Sequence, residues 1–169
     1  MIRAWPRSQW LLRAVVATGP LVALLATAPA GAPPYAWLVV LVAGLSVAHA
    51  RSPESPFGTG ALGAVVIWWG VALHDGVPGW ALVAAAALLA SHVAALLASY
   101  GPETMAVDPA TARLWLRRAA AAFLLAPLAL VLTVGVGQRP GTPVVWVVGM
   151  AVALAVGVVA TLAVTRDAG

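Results

Sequence analysis

Residues 80–100 read WALVAAAALLASHVAALLASY, a run of 21 residues without a formal charge, opened by Trp80, closed by Tyr100 and stopped by Gly101-Pro102. As a helix rising 1.5 Å per residue, such a run is about 31 Å long, which matches the hydrocarbon thickness of a bilayer. The flanking sequence repeats the pattern. Uncharged runs cut at glycine and proline clusters give six expected spans, at about 10–28, 35–51, 56–73, 80–100, 112–136 and 144–165. Turns are expected at 29–34, 74–79 and 138–143, all rich in glycine and proline. Ser55-Pro56 and Asp108-Pro109 each set a capping side chain before a proline suited to the first helical position. The expected fold is all-α: one integral membrane domain of six transmembrane helices, arranged as three antiparallel hairpins.

Composition supports lipid as the solvent. Of 169 residues, 63% are hydrophobic and 8% are charged, against about 25% charged in an ordinary soluble domain. Mean hydropathy is +1.00, and too little polar sequence remains to cover a core in water. All nine basic residues are arginine, and Ala, Val, Gly, Leu and Pro dominate, as GC-rich bacterial codons would encode. No cysteine is present, which removes disulfides, thiolate nucleophiles and cysteine-based metal sites.

Charge placement orients the six expected spans. With both termini cytoplasmic, Arg3, Arg7, Arg13, Arg51, Arg113, Arg117, Arg118 and Arg166 fall on the inner side and Arg139 alone on the outer. That is the positive-inside bias of a cytoplasmic membrane protein. Trp37, Trp80 and Trp146 each follow a proline at the expected outer interface, while Trp10 and Trp115 mark the inner one. A net charge of +4 thus serves topology rather than nucleic acid, which would need a basic face on a soluble fold. The N-terminus also allows a signal peptide, since Arg3, Arg7 and Arg13 precede an apolar stretch ending in Ala28-Pro29-Ala30. The retained first span is favoured, because the charged and polar lead-in is long.

Helices in lipid associate through small residues that let backbones approach. The sixth expected span carries Gly149, Ala153 and Gly157 at every fourth position, followed by Thr161 and Thr165; the fourth carries Ala87, Ser91 and Ala95 beside Ala86, Ala90, Ala94 and Ala98. These are the candidate packing faces. Hairpins one and three share Trp10-Leu11-Leu12-Arg13-Ala14 with Trp115-Leu116-Arg117-Arg118-Ala119, and Pro20-Leu21 with Pro127-Leu128. Either duplication or the common needs of any hairpin explains the match.

Chemistry is sparse. No carboxylate falls inside an expected span, so proton relays, carboxylate metal sites and paired-acid hydrolysis lack their parts. His92 is the one titratable side chain well inside a span, about 18 Å from Trp80 along the helix. With Ser91 it forms a candidate buried polar site, expected to hydrogen-bond a neighbouring helix, with ligand or proton handling as the alternative. Ser46 precedes His49 by three residues, but no third group completes a hydrolase triad. No catalytic residue, cofactor or metal site is expected. Arg13, Arg51, Arg113, Arg117, Arg118 and Arg166 form a candidate cytoplasmic basic surface for anionic lipid head groups, with an acidic partner as the alternative.

In size and span count alone, the six expected spans resemble the substrate-binding subunits of energy-coupling-factor vitamin transporters. A vitamin would find little to grip in outer loops whose polar residues are His74, Asp75, Gln138 and Arg139. The favoured expectation is a structural or accessory subunit that packs against a membrane partner or another copy of itself. A small transporter or ligand-binding subunit with a site near His92 is the second, and an intramembrane enzyme a distant third.

Overall fold

The structure is a computed structural model that describes residues 6–73, 78–100 and 105–137. Its elements are α1 (Arg7–Leu25), α2 (Ala36–Arg51), α3 (Phe57–Ala72), α4 (Ala81–Ser99), α5 (Pro109–Phe123) and α6 (Leu125–Gly137), with no strand among the described residues. Leu124 alone separates α5 from α6, so the two form nearly one rod. Three helices are long and apolar enough to cross a membrane: Arg7–Leu25, Ala81–Ser99 and Pro109–Leu132.

The all-helical expectation holds among the described residues, with three span-capable helices rather than the six expected. α2 and α3 have 16 residues each, about 24 Å of helix, which falls short of about 30 Å of hydrocarbon. The sixth expected span, 144–165, lies outside the described residues, as do the turn residues 74–77 and 138–143. The chain divides after Val131 into two compact units, and of the second only Leu132–Gly137, the end of α6, is described.

Local sequence sets the ends of the elements. α1 stops at Leu25 because the chain tightens: Thr27 N–H donates to the Leu24 carbonyl and Ala28 N–H to Leu25. The turn is then locked by Gly31, at φ +97°, with its N–H on Ala28 O and the Ala32 N–H on Thr27 O. This six-to-one and five-to-two pair is a Schellman motif, whose left-handed residue is almost always glycine. α5 starts at the expected cap: Asp108 accepts from the Thr111 backbone N–H at 2.9 Å, with Pro109 at the first helical position. α3 starts differently. The Ser55 hydroxyl donates to Ser52 O at 2.6 Å and closes the α2–α3 turn, leaving Pro56 as the residue that opens the helix without a side-chain cap.

α1 is the centre of the first unit. It packs against α4 and α2, both antiparallel to it, and its C-terminal half meets α3. One apolar cluster joins Ala23, Leu24 and Ala26 to Leu38 and Val42 of α2, Val65 of α3 and Ala84 of α4. A second joins Val16 to Ala50 of α2 and to Ala94 and Ala95 of α4. Small residues dominate the α1–α4 seam, as close helix packing in lipid requires.

Candidate functional site

The site grows from a backbone defect. Pro20 lies inside α1 and has no N–H, so the Val16 carbonyl four residues earlier loses its helical donor. Away from water, an orphan carbonyl costs about 1–3 kcal/mol. The Ser91 hydroxyl of α4 donates to Val16 O at 3.2 Å. Gly19 makes this approach possible: a β-carbon there would stand 2.5 Å from Ser91 Cβ and 2.7 Å from the Ala87 carbonyl oxygen. Gly19-Pro20 is thus a notch with an exposed acceptor, and Ala87-Ser91 is the ridge that fills it.

The same logic recurs at both ends of α1. At its C-terminal end, Thr27 N–H turns toward Leu24 O, and the Ala23 carbonyl accepts the Trp69 indole N–H at 3.0 Å. Trp68 donates to the Thr27 hydroxyl oxygen at 3.2 Å, and that hydroxyl donates onward to Leu24 O at 2.8 Å. Tyr35 meets Trp68 edge-on, with centroids 5.3 Å apart. Trp69 therefore anchors on α1 and Trp68 on the turn that follows it.

At the N-terminal end, the Arg13 guanidinium donates to the Ala50 carbonyl and, at 3.1 Å, to the Arg51 carbonyl. These are final carbonyls of α2, where no further turn supplies donors and the helix dipole favours a cation. Gln9, one turn earlier on α1, is 2% exposed and donates to Met105 O at 3.4 Å. Around this end, Ser8 Oγ, Gln9 Oε1, Ser46 Oγ and His49 Nδ1 are buried without a hydrogen-bond partner. The His49 imidazole lies against Gly58 of α3, where a β-carbon would come within 2.5 Å of its Cε1 and Nε2.

The expected site residues separate accordingly. Ser91 and Ala95 are buried on the α1 face, and Ala87 is half-buried there, whereas Ala86 and Ala90 are exposed. His92 is exposed, so the expected His92–Ser91 pair does not form one buried site; neighbours on a helix point about 100° apart. Arg13 leaves the expected basic surface for the same kind of reason, being only 4% exposed in the interior. Arg51, Arg113, Arg117 and Arg118 are exposed. Arg166, Gly149, Ala153 and Gly157 lie outside the described residues.

α5 carries the remaining charge. Arg118 lies 5.9 Å from the centre of the Trp115 ring, which meets Tyr100 at 6.1 Å. The Thr111 backbone N–H, above all, holds the Asp108 carboxyl below its usual range, helped by the Thr111 hydroxyl, the Ala110 N–H and the charge of Arg113. Among the described residues, no group of three His, Asp or Glu side chains could hold a metal ion.

Comparison with protein-family models, curated proteins and solved structures yields no match. Gly19, Thr27, Trp69 and buried Arg13 organise the bundle, and their roles depend on partners across helices. One signal was available in the sequence: Gly19-Pro20 announces both a close approach and a freed carbonyl. Which helix would answer it was not written there.

Proposed function

We propose that the protein is a small multi-pass subunit of a bacterial cytoplasmic membrane, with six spans and both termini cytoplasmic, that acts by packing against a membrane partner. The observation that carries this reading is the use made of its interior polar groups. Ser91, Trp69 and Arg13 each donate to a backbone carbonyl of a neighbouring helix, which is architecture rather than chemistry. The short helices α2 and α3 reach the interfaces by snorkelling of Arg51 and local thinning of the bilayer.

The second reading, a ligand-binding or transport subunit, loses its candidate pair: Ser91 is engaged by α1 and His92 faces outward. Two measurements test the proposal. Reporter fusions at 52–56, 74–79, 102–107 and 138–143 are expected to alternate between inside and outside, and any other pattern overturns the six spans. Purification in mild detergent is expected to retain a second polypeptide in fixed ratio, lost on Gly149→Leu or Gly157→Leu. A lone chain of unchanged size in wild type and variants removes the partner.

A further inference from the structure

We infer that the N-terminal half of α5 is a seat for the phosphate groups of anionic lipid. This deepens the proposed membrane reading and rests on it. The residues 119–137 form an uncharged run of 19, AAAAFLLAPLALVLTVGVG, about 28 Å of helix and so close to the hydrocarbon thickness. The apolar crossing thus begins immediately after Arg118. Arg117 and Arg118 then stand at the depth of lipid phosphates, and Arg113, one turn earlier on the Arg117 face, stands just outside them.

Three observations on α5 favour a lipid surface. All three arginines are exposed, and no residue of the helix is buried. Trp115 sits among them, with Arg118 against its ring and Tyr100 beside it, the aromatic and cationic mixture that favours the head-group layer. Asp108 is the sole carboxylate on the helix or its cap, and the Thr111 N–H and hydroxyl both engage it. It is therefore committed to starting the helix. Guanidinium groups bind phosphate through paired N–H donors, which makes arginine suited to this role.

The test uses the full chain in vesicles of equal parts phosphatidylglycerol and phosphatidylcholine, with lipids retained after mild-detergent extraction counted by mass spectrometry. Wild type is expected to retain phosphatidylglycerol in excess. Arg113→Gln/Arg117→Gln/Arg118→Gln is expected to lose that excess, at about fivefold in affinity per arginine and so about a hundredfold together. The triple lysine variant keeps most of the preference and shows that the helix still folds. Equal retention of both lipids by wild type overturns the inference, as does an undiminished preference in the glutamine variant. Binding to an acidic soluble protein without any lipid preference overturns it too. Failure of wild type to enter neutral or anionic vesicles overturns the membrane reading itself, so the two failures are distinguishable.

Discussion

α1 and α5–α6 are both apolar helical rods, yet they meet their surroundings in opposite ways. In α1 and α4, 39% of the apolar stretch is buried inside the bundle; in Pro109–Leu132 none is. Hydropathy does not separate them. What separates them is that α1 carries a glycine where another helix must come close, and freed carbonyls where another side chain can donate. α5–α6 presents Leu124, Leu125, Leu128 and Val131 outward instead, which suits lipid chains. Specific association in a bilayer thus comes from small residues and backbone acceptors, since burial of leucine gains nothing when the solvent is already hydrocarbon.

The contrast breaks most severely at Gly19. Gly19→Leu drives a side chain into the α4 backbone at Ala87, and a loss of about 3 kcal/mol is expected in reversible unfolding from detergent. Leu128→Met, on the exposed rod, leaves that unfolding unchanged. An equal loss at both positions would erase the distinction.

Arg13→Met comes next. It removes the donor from two carbonyls at the end of α2, and about 2 kcal/mol is expected from the same measurement. Replacing exposed Arg117 by Met changes the bundle's unfolding by no more than about 0.5 kcal/mol.

A sharper probe is a double-mutant cycle between Ser91 and Pro20. Ser91→Ala alone strands the Val16 carbonyl and costs about 1 kcal/mol. In a Pro20→Ala background the helix supplies its own N–H, so Ser91→Ala becomes nearly neutral. Additive effects would show that the hydroxyl does not answer the proline.

The smallest effect is local to α5. Because the folded state lowers the Asp108 pKa, its contribution is present above the ordinary carboxylate value of about 4 and fades as pH falls through the lower folded value. Amide exchange at Thr111 is expected to quicken only in that acidic window, while exchange in α1 does not change. Asp108→Asn keeps the cap and removes the pH dependence.

Much of the element layout was legible because it depends on near neighbours in sequence. Asp108-Pro109 starts a helix, Gly31 ends a turn, and uncharged runs mark the rods. The faces of those rods were harder. In an alanine-rich helix, Ala86-Ala90 and Ala87-Ser91 look alike as stretches of two stripes, but only the latter faces α1, and one turn on both stripes are buried at Ala94 and Ala95. Arg13 reads as one more orienting cation among nine until α2 is seen to end beside it. His92 draws attention by its rarity, although Ser91 next to it makes the contact across helices. Each such distinction is a property of two segments distant in sequence, and no spacing within one segment encodes it.

The Ser91–Val16 hydrogen bond joins residues 75 positions apart, which has a bearing on biosynthesis. At roughly 5–20 residues per second, the ribosome needs about 4–15 s after making Val16 before the hydroxyl that answers its carbonyl exists. In the proposed membrane setting, the first helix would spend that interval in the bilayer with an unanswered acceptor at its middle. A translocon that holds early helices until later ones emerge would suit such a chain.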